Sequence, residues 1–187
     1  MASSSPHWSR IRRALRVLVL ALPVLMTGCR SEQAGPAAEA RIDAARVLVG
    51  PSGAALELDQ SLRFNPRMLD ALSNGIALRL EYRLRACTGR LQARPALWLR
   101  YFPLTQEYEL RWQGESVGRR FERRAALLAA LDRVRVPLAP GMAECAGEVR
   151  MQLDRAALPA PLRFPALIGL EDWRLRARSD WSAGAPA

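Results

Sequence analysis

The clearest alternation in the chain runs from Ile76 to Arg85. Ile76, Leu78, Leu80, Tyr82 and Leu84 share one parity, and Arg79, Glu81, Arg83 and Arg85 share the other. Side chains of a strand alternate between faces, so this pattern predicts a strand with one dry and one wet face, as in an antiparallel sheet. The same period recurs along the chain. Ala45, Val47 and Val49 alternate within 42–50, and Leu56, Leu58, Leu62 and Phe64 alternate against Glu57, Asp59 and Arg63. Pro51-Ser52-Gly53 between these runs predicts a turn, and hence a hairpin. Leu97, Leu99 and Tyr101, then Tyr108, Leu110 and Trp112, predict two strands around Pro103-Leu104-Thr105, with their aromatic rings as packing. Val149, Met151 and Leu153 predict another. Trp173, Leu175, Ala177 and Trp181 line a last one, against Arg174, Arg176 and Arg178.

Two stretches carry helical signals. Asn65-Pro66 reads as an N-cap followed by proline at the first helical position, Met68, Leu69 and Leu72 as the apolar stripe, and Gly75 as the left-handed residue after the end. Phe121, Ala125, Leu128 and Leu131 predict a second helix over 121–134. Arg119, Arg120, Arg123 and Arg124 crowd its start, where the helix dipole disfavours cations; a solvated helix end explains them, and a docking patch is the alternative. Residues 137–146 read as a loop, and Leu158-Pro159-Ala160-Pro161 as an irregular extended connection. The expected fold is α+β: mainly antiparallel β-sheet or sandwich, about seven or eight strands with two helices, in a single domain over 42–181.

Ahead of that domain lies a different pattern. Arg10, Arg12, Arg13 and Arg16 precede an uncharged, mostly apolar run from Val17 to Gly28, followed by Cys29. A charged region, a short apolar region and a cleavage zone make a secretory signal over 1–28, and a dozen or so apolar residues are too few to span a bilayer core of about 30 Å. Met26-Thr27-Gly28-Cys29 resembles a bacterial lipobox, with Cys29 as the lipidated residue. The alternatives are an ordinary signal cleaved after Ala38-Glu39-Ala40, an uncleaved anchor, and twin-arginine export through Arg12-Arg13. Residues 29–41 then read as a flexible tether and 182–187 as a loose tail.

Composition narrows the chemistry. The chain has 187 residues and a formal net charge of +10, with no lysine and one histidine, His7, inside the signal. Removal of 1–28 leaves 24 arginines against 18 carboxylates, and neither histidine nor lysine. That excludes the Ser-His-Asp triad, lysine Schiff bases and nearly all zinc sites from the mature chain; no cofactor or metal is implied. A carboxylate-pair enzyme is left by residue type alone. Glu57, Asp59, Glu81, Glu107, Glu109 and Asp154 fall on expected wet faces, which argues against it. Nucleic acid is not an expected partner for an exported protein. Cys87 follows one strand and Cys145 precedes another. In an oxidising compartment the two read as a disulfide, the alternative being two separate thiols. The outward arginines Arg79, Arg83 and Arg85 on one strand and Arg174, Arg176 and Arg178 on another make an interaction patch if the strands share a face. They are otherwise only a solvated sheet.

The segments NGIALRLEY (74–82), LRYFPLTQEYEL (99–110) and LDRAALPAPLRFPALIGLEDWRL (153–175) resemble the bacterial family catalogued as domain of unknown function 4390. The resemblance spans about 47–181. It implies a small exported protein, often encoded near a membrane sensor histidine kinase, and no catalytic residues. The expected role is therefore a non-enzymatic binding or accessory lipoprotein on the periplasmic face of a bacterial membrane, with a membrane contact through Cys29 and a sensor kinase as a possible protein partner. The alternatives are a carboxylate-dependent envelope enzyme and, for location, a soluble periplasmic protein.

Overall fold

Residues 36–51, 53–167 and 173–183 are described by a computed structural model of the chain. The signal 1–28, Cys29, most of the tether and residues 184–187 of the tail lie outside the described residues. Ten strands follow one another as β1 (Glu39–Gly50), β2 (Gly53–Arg63), β3 (Leu78–Ala86), β4 (Leu91–Ala93), β5 (Ala96–Phe102), β6 (Glu107–Trp112), β7 (Arg119–Phe121), β8 (Arg133–Pro137), β9 (Gly147–Leu153) and β10 (Arg176–Trp181). Helix α1 (Pro66–Ser73) lies between β2 and β3, α2 (Arg124–Leu131) between β7 and β8, and α3 (Ala160–Leu167) between β9 and β10. One sheet has the order β1-β2-β8; the other has the order β10-β9-β3-β5-β6-β7, with β4 added beside the end of β3. Every ladder is antiparallel. The chain is thus α+β and sandwich-like, as the period-2 pattern predicts.

The inner faces of both sheets meet in one apolar cluster. Leu56 and Leu58 come from the small sheet, Leu78, Leu80, Tyr82, Leu84, Leu97 and Leu99 from the large one, and Leu72, Leu127 and Leu131 from α1 and α2. All are at most 1% exposed. Each such leucine contributes about 1.5–3 kcal/mol of burial free energy. At the centre of the cluster the Gln60 amide of β2 donates to the Tyr82 hydroxyl of β3 at 3.1 Å and to the Leu131 carbonyl at 2.8 Å. The Tyr82 ring leans on Trp112, with centroids 5.5 Å apart. One polar node therefore joins two sheets and a helix inside an otherwise apolar layer.

Helix α1 forms as its sequence predicts. The Asn65 side chain accepts from Met68 N–H at 2.9 Å, Pro66 opens the helix, Asn74 closes it, and Gly75 takes φ +81°. The second helix is shorter than the predicted span 121–134. Phe121 belongs to β7, opposite Tyr108, and Val134 and Val136 of β8 pair with Leu58 and Leu56. Pairing on β2 outweighs the helical spacing at those positions, because valines favour a pleated surface and gain a buried partner there. Arg119 and Arg120 consequently sit on β7, stacked over Phe121 and Phe102, and only Arg123 and Arg124 stand at a helix start. The connection after β9 is also corrected. Pro159 precedes a helix, α3, whose Leu162 and Arg163 N–H groups bond the Pro159 carbonyl. Proline is tolerated in a first turn, where its missing N–H has no partner to lose. The loop 137–146 contains a 3-10 turn at Met142–Glu144 with Met142 buried. Strand β1 starts at Glu39, three residues inside the expected tether, because Glu39, Ala40 and Arg41 pair with Arg63, Leu62 and Ser61.

Cys87 and Cys145 form a disulfide with Cα atoms 5.0 Å apart. The ladder explains it: Ala86 and Gly147 are the last pair of β3 and β9, so the residues just beyond them are neighbours. Cys87 N–H bonds the Ala146 carbonyl at 3.2 Å, and the Trp181 indole donates to the Cys145 carbonyl at 3.1 Å. Trp181 lies over Gly147, where an added Cβ would stand 2.2 Å from the ring.

Candidate functional site

The order β10-β9-β3 decides where the arginines go. Cross-strand partners in one row of an antiparallel sheet point to the same face. Arg178, Arg150 and Arg83 are in register across the three strands. The next row in one direction is Arg176, Gln152 and Glu81, and in the other Asp180, Glu148 and Arg85. Val149, Met151, Leu80, Tyr82 and Leu84 point the opposite way, into the core. Arg174 is exposed one residue before Leu175, whose carbonyl accepts from Leu153 N–H, so it stays on the outer side. The six arginines named from the alternation therefore share one face of one sheet.

They do not act as one group. Arg79 stands two rows from Arg83, bound to Asp154 and to the Gln113 amide oxygen at 3.0 Å, and its guanidinium lies over Trp98 at 5.7 Å. Its side chain is only 21% exposed, and it reads as a packing residue. Arg83 pairs with Glu81 along its own strand, and Arg150 with Glu148. Arg178 reaches the same Glu148 at 3.8 Å. The Glu148 carboxyl is held below the usual carboxylate range, first by its hydrogen bond from Arg150 and then by the charges of Arg150, Arg178 and Arg85. Arg85, Arg174 and Arg176 are exposed. Arg150 is the member that sequence reasoning missed. Its parity was readable from Val149, Met151 and Leu153, but its place between Arg83 and Arg178 depends on strand order.

Glu109 is on the expected outer face but is covered: it is 7% exposed. It stands between Arg100 and Arg120 in register, with Arg111 at 3.8 Å, and its side chain packs against Gly118, where an added Cβ would stand 2.6 Å from its Cγ.

A groove of about 830 Å³ opens where β2 and β8 face β6 and β7, with Leu97, Leu110, Trp112 and Val134 in its lining. Val117 on its rim is 79% exposed. Its two acids are Glu57 and Glu115. Glu57 accepts from Arg135 at 3.3 Å, and Glu115 from the backbone N–H of Trp112 at 3.2 Å. Among the described residues no group of three His, Cys, Asp or Glu side chains converges to hold a metal, and no helix is long and apolar enough to cross a membrane.

Comparison with known proteins places the sheet pair in a family. No curated protein and no solved structure matches the chain. A family model described as Domain of unknown function (DUF4390) matches residues 37–183, which takes in every strand from β1 to β10, and the chain belongs to that family.

Proposed function

We propose that this protein is an exported accessory module of the bacterial cell envelope, anchored through a lipid on Cys29, that works by binding an anionic partner through the outer face of β10, β9 and β3. The carrying observation is the gathering of Arg83, Arg85, Arg150, Arg174, Arg176 and Arg178 on one exposed face. Arginine suits such a role because its planar fork bonds carboxylate and phosphate with two hydrogen bonds at once. The Cys87–Cys145 disulfide supports the location, since such bonds persist in oxidising compartments. The N-terminal layout of arginines, apolar run and Cys29 supports export with lipidation. A link to a sensor kinase rests on the family resemblance.

Two experiments test this. A photo-reactive residue in place of Arg176 should give adducts in living cells, and one in place of Arg67, on α1, should not. No adduct from residue 176, or equal adducts from both, removes the reading. Radiolabelled palmitate should enter the wild type and not Cys29→Ser; label retained in the variant removes the anchor.

A further inference from the structure

Among the described residues, three rows place charged side chains on three adjacent strands with arginine in the majority, and they follow two different rules; a further row, Asp180, Glu148 and Arg85, sets two carboxylates side by side. Arg46, Glu57 and Arg135 are in register across β1, β2 and β8, with a carboxylate between two guanidiniums. Arg100, Glu109 and Arg120 repeat that order across β5, β6 and β7. The third row, Arg178, Arg150 and Arg83, has no carboxylate in it. Like charges directly opposite one another destabilise a sheet. The only relief comes from the neighbouring rows, where Glu148 serves both Arg150 and Arg178 and Glu81 serves Arg83. The chain sets an acid between two arginines in two rows and stacks three arginines in the third, whose charge two neighbouring carboxylates offset only in part.

The row suits one kind of ligand. It spans about 10 Å, two strand spacings, and it is continued by Arg85 and Arg176 in the rows beside it. Strands β9 and β3 are paired on both edges, and β10, the last strand of the large sheet, lies against β1. Arg83 and Arg150 thus stand on strands that offer an acidic peptide no free edge. The side chains of Arg83, Arg150, Arg176 and Arg178 are exposed on that face. An array of phosphates approaching a flat face needs neither edge nor pocket, only exposed guanidinium forks. We infer that the Arg83–Arg150–Arg178 row, with Arg85 and Arg176, binds the phosphates of anionic phospholipid head groups and seats the domain face-down on the membrane surface. This rests on the envelope location and the binding face proposed above, and it names that face's ligand.

The test is partition of the full chain onto vesicles of phosphatidylcholine alone and of phosphatidylcholine with phosphatidylglycerol. The ratio of the two affinities cancels the affinity of the N-terminal apolar run, and comparing each variant's ratio with the wild type cancels the anionic preference of Arg10, Arg12, Arg13 and Arg16, which every protein keeps. The wild type should prefer the anionic vesicles, and added salt should weaken that preference. Arg83→Gln, Arg150→Gln and Arg178→Gln combined should cut the preference about 100-fold, as expected for three arginines close to a charged membrane surface. Arg46→Gln, Arg133→Gln and Arg135→Gln combined change the formal charge equally on the other sheet and should leave it within about threefold, because charges more than a Debye length from the surface are screened. Folding is controlled by thermal unfolding: each triple variant removes exposed ion pairs on one sheet, and each should keep a single cooperative transition within a few degrees of the wild type. Equal losses in both triples overturn the assignment of the row, and an indifferent wild type overturns the lipid. If the wild type is indifferent but residue 176 still crosslinks to a protein in cells, the lipid inference falls and the binding-face reading stands.

Discussion

Tyr82→Phe is the most informative change to the core, because its cost can be worked from the geometry. The substitution removes one oxygen and leaves the ring against Trp112. The Gln60 amide then keeps its bond to the Leu131 carbonyl at 2.8 Å but loses its partner at 3.1 Å. A buried polar group left without a partner costs about 1–3 kcal/mol. At about 2–4 °C per kcal/mol for a domain of this size, the melting temperature should fall by roughly 2–12 °C. Gln60→Met alone should cost as much, since it strands the Tyr82 hydroxyl and the Leu131 carbonyl. The double variant leaves only the carbonyl stranded, so it should cost less than the sum of the singles by about 1–2 kcal/mol. Urea unfolding of the four proteins measures this. Additivity within about 0.5 kcal/mol would show that the node is not a coupled unit. The same pair predicts an alkaline limit. Burial pushes the Tyr82 hydroxyl well above its usual value, against a smaller opposite pull from Gln60. The hydroxyl therefore stays protonated in the native state while the unfolded chain releases its proton above pH of about 10. The unfolded state then binds fewer protons, so stability contributed by this group is complete below that pH and falls above it by about 1.4 kcal/mol per pH unit. Tyr82→Phe should flatten that part of the profile; an unchanged slope would assign it elsewhere.

Two further outcomes are expected from the same end of the large sheet. Replacing both Cys87 and Cys145 with serine should lower stability by about 4 kcal/mol, the loop-entropy value for a bridge that closes 58 residues; a loss under about 1 kcal/mol in denaturant titration would contradict it. Gly147→Ala should cost about 1–3 kcal/mol by forcing the Trp181 ring and the Arg85 carbonyl away from the new methyl, and a quenched or shifted tryptophan emission should accompany it; wild-type stability would show that both can give way freely.

The local half of this structure was legible in the sequence. Strict alternation from Ile76 to Leu84 named the buried face of β3, and Asn65, Pro66 and Gly75 marked both ends of α1, because caps and periodicity are set by the residues themselves. What failed depended on distant partners. Val134 and Val136 sit where a helical pattern was fading into an alternating one, and only the waiting edge of β2 makes them a strand. Pro159 and Pro161 read as an interruption, although prolines fit a first helical turn. The three residues of β4 and of β7 are too few to show a period at all. The candidate face was half visible: the parity of each arginine could be read from its own strand, but the row that unites Arg83 with Arg178 passes through Arg150 on β9, and strand order is not written in any local pattern.

Strand β8 is the outermost member of the small sheet, and its sequence carries a further meaning. Leu138 N–H bonds the Ala54 carbonyl and Gln60 N–H bonds the Asp132 carbonyl, which fixes Val134 and Val136 as the residues whose backbone bonds face β2. The backbone groups of Arg133, Arg135 and Pro137 therefore face away from the sheet. Pro137 has no N–H to offer, and any copy of β8 laid alongside would bring arginine beside arginine with no acid between them. The exposed border of this sheet is guarded against its own kind, so crowding of many such molecules would not by itself zip them into fibres.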